Sequence, residues 1–302
     1  MDREYLILLM EKAEFPCEAK ECILNAFDIV KEKSEKEILA ILDEYKALEY
    51  VTKDLVDPVR EIAEKADISE HTLWMILVIL ASGRAKDSFV EKVKDEQIFW
   101  DTFTDLRYKL LECKQVKGVW GTFVPHWYRK FFVADIIKLG RLEYENRVFP
   151  FVTPYVFGDI VLEGDVEVKS IHIPSAPEKF DYETRLDSYK KAYKFFAGKE
   201  KGEPMIFFCY SWLLYTPYKE ILSPNSNIVS FMNDFDVYRL QEDEAFNDGW
   251  RIFGADMTKE PKDLLEETSL QRAFKKYLME DKKTGHGFGI IVFDGEKILN
   301  NK

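Results

Sequence analysis

Basic residues are in short supply. The chain of 302 residues holds 43 Lys and Arg against 55 Asp and Glu, a formal charge of −12. A surface of that sign repels nucleic-acid phosphates and anionic lipid, so no nucleic acid and no membrane is expected as a partner. Histidine and cysteine are scarcer still, at four each. Cys17, Cys22, Cys113 and Cys209 stand at no zinc-ligand spacing, so no metal is expected. They read as reduced thiols of a cytoplasmic protein. Long apolar runs are missing too. The longest, Leu73 to Ala81, falls far short of a membrane span. The apolar opening Tyr5 to Met10 is followed by Glu11 and Lys12, unlike a secretory signal. Internal repeats and low-complexity tracts are absent as well.

Core-forming material is plentiful. Hydrophobic residues make up 46% of the chain and aromatics 15%, enough for the cores of one large or two ordinary domains. The first part reads as successive helices. Ile23, Ala26, Phe27 and Val30 recur at helical spacing, as do Ile38, Ile41, Leu42, Tyr45 and Leu48. Ser34 with Glu37 has the form of a capping box, and Asp57-Pro58 has the form of a helix start. Ser69 is placed to cap a helix over 70–81 that Gly83 can end. A further helix is expected over 95–111.

From Val119 the pattern changes to strands mixed with helices. Helices are expected over 127–139, ended by Gly140, over 182–196, ended near Gly198, and over 270–279. Strands are expected over 141–149, 167–173, 205–214, 235–240, 249–253 and 288–293. The chain therefore reads as α+β: an all-α N-terminal domain over 1–117, then a mixed-sheet domain over 118–302.

The stretch from Glu61 to Trp74 has the outline of a helix-turn-helix, with a turn at Asp67-Ile68. A recognition helix needs polar or basic groups aimed at base edges. This one continues Leu73-Trp74-Met75-Ile76-Leu77-Val78-Ile79-Leu80, apolar nearly all round, so it is read as a core helix. A DNA-binding regulator is the weakest functional reading.

Several phrases follow one another in the second part: GRLEYE (140–145), SIHIP (170–174), SYKKAYKFF (188–196), FFCYSWLL (207–214), SPNSNIVSFMNDF (223–235) and TSLQRAF (268–274). In this order, after a helical domain, they resemble bacterial acyltransferase-domain proteins. Those pair an N-acyltransferase N-terminal domain with a GNAT-like (N-acetyltransferase type) C-terminal domain. The resemblance implies a sheet in which two neighbouring parallel strands splay apart and an acyl-thioester, acyl-CoA, lies in the gap. It implies that a loop and helix start after the first strand hold the pyrophosphate, a task suited to free helix amides. Here those pieces are SIHIP, the loop 175–181, the helix from Tyr182, and FFCYSWLL. The loop departs from the family pattern. Coenzyme A users carry Gln or Arg, two residues, Gly, one residue, then Gly or Ala, whereas SAPEKFDYETR (175–185) has no glycine, and Asp181 and Glu183 are acidic.

On this reading Ile173, Lys179 and Arg185 are candidates for holding the cofactor. His172, at the end of the first strand, is the candidate base that takes a proton from an attacking amine. Cys209 and Ser211, two apart in the partner strand, share one face and are catalytic candidates opposite it. Tyr144, Glu145 and Asn227 are candidates for substrate binding. The competing readings are structural: a histidine bonded to backbone, a small buried cysteine, and an Asn-Ser-Asn turn satisfied by its own backbone. His286, between two glycines, reads as a solvated loop residue. The expected function is acyl transfer from an acyl-thioester to an amine or hydroxyl of a small molecule, without a metal. The alternative is a non-catalytic ligand-binding or scaffold protein that keeps the fold.

Overall fold

The structure is a computed structural model that describes residues 1–47, 53–197 and 202–301. Leu48, expected on a helical face, and Gly198, expected to stop a helix, lie outside the described residues. The chain forms two compact units, Met1–Ile137 and Lys138–Lys302.

The first unit is helical: α1 (Arg3–Lys12), α2 (Cys17–Ala47), α3 (Lys53–Ala66), α4 (Glu70–Val93), α5 (Glu96–Phe103), α6 (Asp105–Lys117) and the single turn α7 (Arg129–Phe132). Ser34 leaves helical geometry inside α2 (φ −148°, ψ 28°), so the start signal there marks a kink rather than a new helix. Pro58 lies inside α3, not at its first turn. The helix over 95–111 is broken in two at Thr104, whose hydroxyl donates to the Asp101 carbonyl at 2.6 Å.

Ser69 caps α4 as expected, accepting from the His71 amide at 3.2 Å. Every residue of α4 from Thr72 to Ser82 is buried, which makes it the core helix of the unit. The helix does not stop at Gly83. That glycine instead admits the ring of Tyr5 from α1, because a Cβ there would come within 2.7 Å of it. Residues after 117 stay with this unit: the Thr122 amide donates to the His71 carbonyl at 3.0 Å, and Tyr128 donates to Asp105 at 3.1 Å. The expected helix over 127–139 gives way to a short turn, α7 and a strand. The chain leaves helical geometry at Ala134 (φ 48°), and the β-branched pair Ile136-Ile137 suits a fully buried strand.

The second unit is built on a mixed sheet of β1 (Ile136–Leu139), β2 (Leu142–Val148), β5 (Glu167–His172), β6 (Met205–Ser211), β8 (Gly285–Phe293) and β7 (Asp236–Glu242), in that order. The hairpin β3 (Tyr155–Phe157) and β4 (Ile160–Leu162) stands apart from it. Helix α8 (Tyr182–Phe196) joins β5 to its parallel neighbour β6; α9 (Asn227–Met232), α10 (Trp250–Phe253) and α11 (Ser269–Met279) complete the unit. The strand expected over 249–253 is α10. Gly249 precedes it in helical geometry (φ −58°, ψ −25°) and sits against Met257 and Phe246, where a Cβ would meet sulfur at 2.1 Å.

Strand alternation divides the sheet into two faces. The back face carries Tyr144, Phe207, Cys209 and Phe293, packed under α8: Tyr189 stacks on Phe207 at 5.8 Å and meets Phe293 at 6.0 Å. The front face carries Glu143, Glu145, Ser170, His172, Phe208, Tyr210, His286 and Phe288, by the register of β2, β5, β6 and β8. The hairpin covers part of it, placing Tyr155 and Leu162 in one apolar cluster with Phe208, Ile290 and Val292. The core of the unit is thus split between two layers, and His172 lies on the front face, half-buried, beyond the apolar cluster that the hairpin covers.

Candidate active site at the parting of two parallel strands

β5 and β6 pair only at Lys169↔Phe207 and Ser170↔Phe208. Beyond that step β5 stays with β2 as far as His172↔Glu143, while β6 stays with β8 as far as Ser211↔Gly287. The two parallel strands part where each still has a partner on its outer side. The splay expected from the sequence is therefore present, bounded by Ile171 and His172 on one strand and Cys209 and Tyr210 on the other. Had the ladder continued, His172 and Tyr210 would have been the next pair on the front face.

His172 stands at the mouth of this gap. Its Nε2 lies 2.8 Å from Glu145 Oε2, with the histidine side chain 24% exposed and the glutamate 3%. Glu145 comes from β2, two residues from the buried Glu143 and on the same face. Arg147 is 3.7 Å from its other oxygen. A buried carboxylate that holds one imidazole nitrogen orients the ring and steadies the charge the ring takes on when it accepts a proton.

The other sequence candidates fall elsewhere. Cys209 and Ser211 do share a face, but it is the back face, because Phe208 and Tyr210 take the front. Cys209 is fully buried, and burial pushes its thiol pKa well up, away from a thiolate nucleophile. The Ser211 hydroxyl accepts from the Leu213 amide at 3.1 Å and caps the short turn after β6. Tyr144, one residue from Glu145, points the opposite way. Its hydroxyl lies 3.0 Å from Ser188 of α8, and burial raises its pKa. Tyr144 and Glu145 thus cannot touch one substrate together.

Arg185 is also committed. It is fully buried and forms a two-pronged pair with Asp234, Nε at 2.6 Å and Nη2 at 3.1 Å, and it donates to the Phe180 carbonyl at 2.7 Å. A guanidinium so matched has no open edge for a phosphate. Burial alone would lower its pKa, but the Asp234 pair outweighs that and the pKa is raised. Asp181 caps α8, accepting from the Thr184 amide at 3.0 Å, so an internal carboxylate already occupies that helix start. Ile173 is half-buried just past β5, Lys179 is exposed, and Asn227 is exposed in the first turn of α9.

The glycine-free loop is held in its own way. Arg141, buried beside it, donates to the carbonyls of Pro174 at 2.9 Å and Ala176 at 3.4 Å. Sequence reading missed Arg141, Tyr210 and His286. His286 is no loop residue: it lies in β8 with Nε2 2.9 Å from Asp248 and Nδ1 2.7 Å from Asp243, the latter off the line of a straight hydrogen bond. Burial by itself lowers an imidazole pKa, but the bond to Asp248 and the charges of both aspartates reverse this and raise it. The alternation GHGFG at 285–289 is the signal that could have marked this strand. Among the described residues no group of His, Cys, Asp and Glu has the arrangement of a metal site. No helix among them is long and apolar enough to cross a membrane. The helical unit has a cavity of about 440 Å³, lined in part by Cys22, Asn25, Thr72, Lys114 and Trp120, that contains none of these candidates.

Several solved structures have this fold. An acyltransferase in complex with decanoyl-CoA and teicoplanin matches over 94% of this chain and 86% of its own, with 15% identity and a TM-score of 0.71. An acyltransferase in complex with CoA and 10C-teicoplanin covers 97% and 88%, with 15% identity and a TM-score of 0.72. A third, in complex with decanoyl-CoA, has 19% identity and a TM-score of 0.65 over 94% and 86%. At such identities the likeness is one of fold. No curated protein matches the chain. The N-acyltransferase N-terminal domain description matches residues 4–133 and the GNAT-like C-terminal domain description matches residues 136–291. Helical unit and splayed sheet thus agree with both matches, and the chain belongs to the family that joins an N-acyltransferase N-terminal domain to a GNAT-like C-terminal domain.

Proposed function

We propose that the protein transfers an acyl group from acyl-CoA to an amine of a small-molecule acceptor. The observation that carries the reading is the parting of β5 and β6 after Ser170 and Phe208, with the His172–Glu145 pair at its edge. A thioester laid in the gap meets strand amides that no neighbouring strand uses, and such fixed dipoles stabilise the oxyanion of the tetrahedral intermediate. The acceptor nitrogen attacks the thioester carbonyl from the front face. A C–N bond forms, the nitrogen proton passes to His172, and the C–S bond breaks to release the coenzyme as a thiol, which takes that proton back. Glu145 keeps the imidazole turned towards the acceptor. Solved acyltransferases of the same fold hold decanoyl-CoA, which makes a medium-chain acyl-CoA the first donor to test.

The residues near the gap suit the thioester better than the phosphates. Arg185 and the first turn of α8 are already engaged, and of the two candidate cations Lys179 is the exposed one. That favours a second reading, a ligand-binding protein that keeps the fold without the chemistry. Isothermal calorimetry with decanoyl-CoA, followed by a free-thiol assay with a panel of amines, separates the two. Heat together with thiol release that depends on His172 supports transfer. Heat without thiol release supports the binding protein, and no heat at all defeats both. A cytoplasmic location is the expected setting for such a reaction.

A further inference from the structure

Over its first half, β8 carries side chains on one face only. Gly285, Gly287 and Gly289 alternate with His286 and Phe288. The glycines face the back, where the chain closes in: a Cβ at Gly287 would fall 2.1 Å from the Leu214 carbonyl oxygen, and one at Gly285 would fall 2.3 Å from that of Gln241. All the side-chain bulk of this stretch is therefore on the front face, the face of His172.

There it forms a continuous row with two neighbours. Phe151 meets Phe288 at 4.9 Å, Phe288 meets Tyr210 at 4.3 Å, and Tyr210 meets His286 at 4.7 Å. The last two contacts are nearly parallel, with interplanar angles of 26° and 25°. Tyr210 remains 43% exposed, an unusual state for a large ring in the middle of a sheet. It is also the member of the row beside the gap, across from His172. His286 is anchored from the other side by Asp243 and Asp248, and Arg251 braces Asp248 at 2.8 Å. One end of the row is thus pinned by charge, the other, Phe151, is half-buried against the apolar cluster that includes Tyr155 and Leu162 of the hairpin, and Tyr210 between them is the exposed ring.

We propose that Tyr210 determines acceptor specificity, and that the row receives an amine carried on a flat aromatic ring. The ring lies on the open part of Tyr210 while a short arm brings the amine to His172. This rests on the acyl-transfer reading for the identity of the amine as acceptor. The class of ring follows from geometry. Aromatic pairs gain orientation as well as buried area, with centroids about 4.5–7 Å apart, whereas an aliphatic chain gains area alone. His286 is a positioning residue that acts through Tyr210.

The test compares 2-phenylethylamine with n-hexylamine by calorimetry on the full chain, as wild type, Tyr210→Phe and Tyr210→Leu. Wild type and Tyr210→Phe are expected to prefer the aromatic amine about two- to tenfold, the worth of an aromatic pair beyond its area. Tyr210→Leu is expected to lose that preference. Equal affinities in wild type, a preference that survives in Tyr210→Leu, or no binding of either amine overturns the proposal. Decanoyl-CoA titrated into the same samples reports on the transferase reading separately. A lost donor signal with an intact ring preference sinks that reading and not the ring site. In turnover, His286→Gln is expected to raise KM for 2-phenylethylamine with kcat held. A fall in kcat with KM unchanged would mean that His286 does not act through the bound ring.

Discussion

The two faces of the second unit's sheet are made of the same materials and do opposite things. Each has a charged pair bridging two elements and aromatics packed around it. On the back face, Arg185, Asp234 and Tyr189 close on one another beneath α8, with nothing left open. On the front face, His172 and Glu145 make one short bond and leave the imidazole partly exposed at the gap. The Asp243–His286–Asp248 clamp is intermediate, with both nitrogens close to carboxylates and one ring face lent to Tyr210. A charged pair becomes part of the scaffold when it is sealed from water, and a candidate for chemistry when one member reaches solvent beside a cleft.

That contrast can be broken in order of effect. Replacing the partly exposed imidazole with His172→Ala is expected to lower kcat for acyl transfer by about 10²–10⁴, the usual worth of a positioned base. The buried Glu145 carboxylate loses its bond to Nε2, so a smaller cost of about 1–3 kcal/mol in stability is expected beside it. Thiol release and a urea titration on the same variant check both halves of the claim. On the closed face the roles reverse. Asp234→Ala strands a buried guanidinium and is expected to cost about 3–5 kcal/mol in urea unfolding. Residual activity per folded molecule should hold.

Tyr144→Phe removes one hydroxyl from the back face. Ser188 keeps its bond to the Leu139 carbonyl, so the expected cost is about 0.5–1.5 kcal/mol with acyl transfer unchanged. A large loss of activity in this variant would return Tyr144 to the site. The smallest effect is a pH dependence. The pKa of His286 is raised in the fold, so its contribution to stability is fully present below the unfolded value of about 6.5 and is lost as pH rises through the folded one. Burial tends to raise the pKa of Asp248, but its bonds to His286 and Arg251 lower it overall, so its contribution is lost as pH falls through that lowered value. The stability difference between wild type and His286→Gln should therefore shrink on the alkaline side. A flat difference from about pH 5 to pH 9 would mean that the clamp is not ionic.

Much of the fold could be read from residue order. The helix over 182–196 and the strands that begin at Glu167 and Met205 stand where periodicity puts them, because each carries a clean pattern between breakers. Short elements were harder to read. Gly249 to Phe253 alternates like a strand, yet Trp250–Phe253 forms the single turn α10, too short for periodicity to tell the two apart. Glu145 and His172 were singled out separately, and nothing local says that one holds the other. Their meeting depends on a register between strands twenty residues apart in order, and register is a tertiary quantity.

The same division holds for the whole protein. Composition and periodicity were enough to determine an anionic chain, a helical first unit with α4 at its centre, and a mixed sheet carrying a strand–helix–strand crossover. Those properties depend on each segment's own residues. Which face Cys209, Tyr144 and Tyr210 take, and where β5 leaves β6, was decided by pairing across the sheet. A shift of one residue there exchanges the faces, so no amount of local pattern can stand in for it. Arg185 has the residue type of a phosphate ligand, and only the approach of Asp234 from the end of α9 turned it into scaffold.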